Sequence, residues 1–149
     1  MTKVLLCAVV LAACGSSASQ SPAGVGTTPS GTASLYDRLG GKPAITAVVD
    51  DFIGNVAADK RINDKFAKTD IPHLKMELVD QICAATGGPC KYTGRDMRDV
   101  HSGMNVTDAQ FDALVGDLKA SLDKFKVGDR EQGELLGALG KMRGDIVGH

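Results

Sequence analysis

From Pro43 onward, every strongly apolar segment repeats at the three- and four-residue spacing of a helix, and none alternates as a strand does. The run "PAITAVVDDFIGNVAAD" places Pro43 in a first turn and lines one side with Ile45, Val48, Val49, Phe52, Ile53 and Val56. "DIPHLKMELVDQICAATGG" starts at Asp70 with Pro72 just inside. It carries Ile71, Leu74, Leu78 and Ile82, and stops at Gly87-Gly88. "PCKYTGRDMRDVHSGMN" is too broken by Pro and Gly for a long helix and leaves room for a turn or two at 95–101. "TDAQFDALVGDLKASLDKF" opens with a capping box, Thr107 to Gln110, ahead of Phe111, Leu114, Val115, Leu118, Leu122 and Phe125. A last helix over 129–147 presents Leu135, Leu136, Leu139, Met142 and Ile146, although four internal glycines lower its propensity. The pattern predicts an all-α domain.

With no Trp, four Phe and two Tyr, the core of that domain has to be mostly aliphatic. Residues 35–149 suit one small domain, of a size to which a large bound cofactor adds useful stability. The formal net charge of −1 offers no basic surface for nucleic acid and no polybasic patch for anionic lipid.

The N-terminal region reads differently. Lys3 supplies a positive start and Val4 to Ala13 an apolar run of signal-peptide length, too short for the ~20 residues that a spanning helix needs. Leu11-Ala12-Ala13-Cys14 resembles a bacterial lipobox. The resemblance implies that residues 1–13, Cys7 included, are removed and that Cys14 carries lipid. A plain cleaved signal or a buried first helix are the other readings. Residues 15–34, uncharged and without aromatics, form a flexible spacer with a reach of roughly 25 Å. The expected organisation is a lipoprotein signal peptide at 1–13, a lipidated linker at 14–34 and a folded domain at 35–149. Its expected location is the bacterial cell envelope, exported and held to a membrane.

Chemistry-bearing motifs are few: there is no Gly-rich phosphate loop, no CxxC and no HExxH. Cys83 and Cys90 either close a short loop in an oxidising compartment or remain two thiols. Of three histidines, His149 ends the sequence and is expected in solvent, and His73 lies in the first turn of a helix, where a surface position is ordinary. His101 follows the broken segment between Val100 and Met104. It could fill a half-buried position or ligate a metal.

The company of His101 favours a ligand. "SLYDRLGGKPAITAVVDDF", then Phe66, then "ATGGPCKYTGRDMRDVHSGMNVTDAQFDAL" resembles the group I truncated haemoglobins, over almost all of 35–149. Leu35-Tyr36 and Gly40-Gly41 match the short opening helix, and Gly87-Gly88 the close of the distal helix. Tyr92 to His101 matches the proximal stretch. The resemblance implies a two-over-two helical sandwich around haem b, with His101 as the iron ligand and Phe66 against the porphyrin face. It also implies pocket-wall positions for Tyr92, Met97 and Leu114.

One departure bears on function. Group I members usually carry a tyrosine directly after the phenylalanine that aligns with Phe52, and here that residue is Ile53. The other two positions facing the ligand are Leu74 and Leu78, where relatives often have glutamine. No donor then stands over the iron unless His73 or Gln81 swings in, so oxygen should be held loosely. The resemblance implies binding of O2, NO or CO, for delivery or sensing at the envelope. Other readings are a nitric oxide dioxygenase or peroxidase-like enzyme served by an unknown reductase, and a haem-free helical lipoprotein that keeps the fold.

Overall fold

The computed structural model describes residues 33–149. The expectations for the signal peptide, Cys7, the lipidated Cys14 and nearly all of the linker lie outside the described residues. Within them the domain is helical and holds no strand, as the periodicity predicts; a single parallel bridge joins Val106 and Val147.

A short α1, Leu35–Arg38, is opened by a capping box in which Ser34 and Asp37 bond reciprocally. The chain then turns at Gly40 and Gly41, whose φ values of 92° and 72° suit glycine, so the glycine pair follows the opening helix rather than lying in it. The long α2, Gly41–Ala58, buries Ile45, Val48, Val49, Phe52, Ile53 and Val56, the stripe read from sequence. A 3₁₀ turn at Asn63–Phe66 leads to α3, Ile71–Ala85. Asp70 caps α3 by accepting the His73 N–H at 3.1 Å, and Pro72 sits in its first turn. At its end, the N–H groups of Gly87 and Gly88 bond back to the carbonyls of Ala84 and Cys83, a Schellman closure that needs the positive φ of Gly87.

The five-residue α4, Met97–His101, is capped by Asp96, and α5, Asp108–Lys124, by the expected Thr107–Gln110 box. Helix α2 packs on both α3 and α5, while α5 also meets α6, Asp129–Gly140. A polar clip joins α2 to α5: fully buried Ser121 donates to Asp51 at 2.9 Å and accepts from Asn55 at 2.9 Å.

Two local expectations are corrected. The helix expected over 129–147 breaks after Gly140 and resumes as α7, Arg143–Ile146. Glycines at 137, 140 and 144 make the continuous helix costly. The break also lets Arg143 reach Asp108 at 2.5 Å and Asp112 at 2.6 Å, with its guanidinium 4.8 Å from the Phe111 ring centre. His149, expected in solvent, is half-buried: its carbonyl accepts the Asn105 N–H and its Nε2 lies 3.3 Å from Arg98.

Candidate functional site

Helix α4 is little more than one turn, so residues four apart on it share a face. Met97 and His101 are such a pair. The Nδ1–H of His101 donates to the Met97 carbonyl at 2.7 Å. A carbonyl can only accept, so the proton is on Nδ1 and the Nε2 lone pair is left for another partner. The ring is half-buried, and contacts with α7 hold α4 from behind. Beyond His101, Lys65 donates to the Met104 carbonyl at 2.9 Å, tying the chain after the histidine to the turn that carries Phe66.

Opposite stands α3. Leu74, Leu78 and Gln81 recur at helical spacing and share one face. The Gln81 amide donates to the sulfurs of Met97 and Met142, each at 3.4 Å, so this face of α3 meets the Met97–His101 face of α4. Ile53, on α2, is 6% exposed. Phe66, Leu74, Leu78 and Leu114 are half-buried and pack against the same core as Ile53. Ile53, Leu74 and Leu78 bring no hydrogen-bond donor with them. His73 does not join this group: its side chain is 61% exposed and its Nε2 lies 3.9 Å from Glu77.

Tyr92 lies in the irregular segment entering α4, half-buried, with its hydroxyl donating to the Arg95 carbonyl at 2.9 Å. Burial pushes its phenol above the ordinary range, and the charges of Glu77 and Asp96 push the same way. Glu77 is a residue that pattern reading missed. Its Oε2 is buried and takes no hydrogen bond from any described residue. A Cβ on Gly94 would collide with both Tyr92 Oη and Glu77 Oε2, so both border the space beside that glycine. The available signal was position: Glu77 falls three residues after Leu74 and one before Leu78, at the margin of the apolar stripe.

Cys83 and Cys90 are joined by a disulfide, the first of the two alternatives open from sequence. It spans the Gly87-Gly88 turn and fastens the end of α3 to the strand of chain that leads to Tyr92. Gly88 fits there because a Cβ would strike Tyr36 and come within 2.7 Å of the Cys83 sulfur.

Among the described residues, no three His, Cys, Asp or Glu side chains converge as a metal cage. A single imidazole with its Nε2 left unbonded suits a metal that brings its other ligands with it, as the iron of a tetrapyrrole does. The half-buried Leu74, Leu78, Phe66 and Leu114 keep apolar surface that a flat macrocycle would cover. The residues present therefore fit haem.

Comparison with known proteins shows the family and the fold. Residues 34–147 match the family model for the bacterial-like globins. The chain is 37% identical to a group 1 truncated haemoglobin of Mycolicibacterium paratuberculosis over 115 residues, covering 77% of this chain and 85% of that protein. It is 34% identical to the group 1 truncated haemoglobin of Tetrahymena pyriformis over 114 residues, covering 76% and 94%. The crystal structure of the Tetrahymena protein in its Fe(III) form superposes with a TM-score of 0.76 at 33% identity, over 78% of this chain and 100% of that one. A two-over-two haemoglobin from Synechococcus, crystallised in the cyanomet state with covalently attached haem, gives 0.73 at 33% identity over 78% and 100%.

Proposed function

The chain belongs to the group 1 truncated haemoglobins of the bacterial-like globin family, and from that premise we propose that it binds diatomic gases at one iron held by His101. Its fold is the two-over-two helical sandwich and its cofactor is haem b. Bound haem supplies an iron with an open position for a small gas. The observation that carries the assignment of His101 is its Nδ1 bond to the Met97 carbonyl, which turns Nε2 into the only free ring nitrogen and stiffens the ring.

Each other residue has a part that follows from its chemistry. Phe66, Leu74, Leu78, Met97, Leu114 and the ring of Tyr92 form an apolar slot for the macrocycle and keep water from the iron. Ile53, Leu74 and Leu78 face the gas. They offer no hydrogen bond to oxygen, which as a ligand carries partial negative charge; carbon monoxide and nitric oxide need that bond far less. Fast exchange of oxygen follows, which favours delivery or sensing over storage. His73 and Gln81 do not fill the gap: the first points to solvent and the amide of the second is engaged by two sulfurs.

The place of action is the bacterial envelope. The Lys3 start, the apolar run to Ala13 and the lipobox-like Leu11–Cys14 support export and lipid attachment at Cys14. Absorption spectra of the ferric, ferrous and CO-loaded protein test the haem reading. A Soret band that shifts on reduction and again with CO is expected, and a protein without one after haem addition contradicts it.

A further inference from the structure

His149 is bonded to the chain on both sides of His101. Three residues before the histidine, the Arg98 guanidinium lies 3.3 Å from His149 Nε2; a guanidinium can only donate, so the ring nitrogen accepts. Four residues after it, the Asn105 N–H donates to the main-chain oxygen of His149 at 2.5 Å. The Gly148 N–H donates to the Val106 carbonyl at 2.9 Å, and Val106 bridges Val147. His101 itself is tied into this loop, because its carbonyl accepts the Met104 N–H at 3.0 Å.

We propose that the segment Val147–His149 is a positioning clasp for His101, with His149 as its principal residue. The proposal rests on the haem reading above. His101 is the last residue of α4, and a helix of five residues frays from its ends. The bond that fixes its tautomer runs back four residues to the Met97 carbonyl, so it opens when that last turn unwinds. With the chain held at Arg98 on one side and at Asn105 and Val106 on the other, the turn has little freedom to unwind. The ring and the main chain of His149 thereby keep the His101 imidazole in one orientation, with Nδ1 protonated and Nε2 free to ligate.

The loop after α4 is shaped to receive the clasp. Gly103 turns with a φ of 81° and Asn105 with a φ of 48°. The second value lies in the left-handed region that asparagine tolerates and a β-branched residue does not. These turns bring Asn105 and Val106 alongside Val147–His149. All five paired residues are exposed or half-buried, so hydrogen bonds rather than a shared apolar core hold the pairing. The clasp can therefore be removed without emptying the core.

The test opens the clasp from each side in the haem-loaded full chain. Deleting Gly148 and His149 leaves the buried Ile146 in place, and Asn105→Val denies the loop its turn. Each change should speed haem transfer to apomyoglobin by about tenfold or more, the scale expected when a group that orients a metal-binding histidine is lost. Each should also shift and broaden the iron–histidine stretching band of the ferrous protein in resonance Raman spectra. Asn105→Gly, which accepts the turn, and His149→Gln, whose side-chain oxygen can still accept from Arg98, should stay close to native. Ser121→Ala is the control for lost stability: it opens the α2–α5 clip and lowers Tm, but should leave the Raman band in place. If the deletion and Asn105→Val keep the native band and transfer rate, or if Ser121→Ala shifts the band as far as they do, the clasp is overturned and the gas site stands. If the native protein takes up no haem, the haem reading falls and the role of the clasp falls with it.

Discussion

His101 Nδ1 donates to the carbonyl oxygen of Met97, 2.7 Å away and four residues earlier on the same short helix. The Met97 sulfur in turn accepts from Gln81 on α3, so one methionine links the histidine to α3. A five-residue helix is too short to be rigid by itself. Its orientation comes from these bonds, from α7 behind it, and from Lys65 holding Met104.

The apolar ligand side makes a sharp kinetic prediction. On the proposed assignment of Ile53 to the ligand side, Ile53→Tyr brings a hydroxyl to the gas, and a hydrogen bond to a polarised ligand is worth about 1–3 kcal/mol. Oxygen dissociation should slow by roughly tenfold or more, since ~1.4 kcal/mol is a factor of ten. Carbon monoxide dissociation should change far less. Stopped-flow measurement of both gases decides the matter. Slow oxygen release from the native protein, unaltered by the tyrosine, would show that another donor reaches the ligand.

The disulfide lends itself to a stability measurement. It closes a loop with a sequence separation of 7, for which chain entropy predicts a contribution of about 2 kcal/mol. Cys90→Ser, or reduction of the native protein, should lower Tm by on the order of 8 °C. An unchanged Tm on reduction would mean that the packing of Cys83 and Gly88 alone holds the turn.

Asp117, on α5, gives a pH-dependent prediction. Burial, then the nearby charge of Asp59, pushes its carboxyl above the ordinary value, with Arg61 opposing. Its Oδ2 is buried and no described residue bonds to it. A raised folded-state value means that the proton favours the native fold. That contribution is complete below the unfolded-state value and disappears as pH rises through the folded-state one. At neutral pH the ionised group is a cost, so Asp117→Asn should raise Tm there, and the gain should shrink as pH falls through the carboxylate range. A gain of the same size in acid would assign the effect to packing.

Much of this was legible in the sequence because it is local. The stripe from Ile45 to Val56 is the buried face of α2, and Asp70 and Thr107 cap the helices they precede. The pairing at the far end was not legible. Asn105 and Val106 join Val147 to His149 through backbone bonds that leave no periodicity, and this pulls His149 out of solvent. The break at Lys141–Met142 was hidden for a related reason: its gain lies in the Arg143 contacts with α5, which are remote in sequence. Glu77 belongs to no sequence motif and sits at the margin of an apolar stripe. Only the fold of residues 92–95 across it reveals a buried oxygen beside a phenol.

The envelope assignment is tested at Cys14. Two acyl chains on one cysteine hold a protein stably, where a single chain binds only marginally. Native protein should fractionate with membranes, and Cys14→Ser should move to a soluble or signal-retaining form. A native chain whose mass shows no lipid on Cys14 would contradict the assignment.

The central claim is that one histidine fixes the iron, and haem retention by two variants tests it most directly. Haem per protein is measured after purification of His101→Ala and His73→Ala beside the native chain. His73, exposed at the start of α3, should be dispensable, and that variant should keep a full complement. His101→Ala should lose most of its haem. Equal retention by the two variants would contradict the claim.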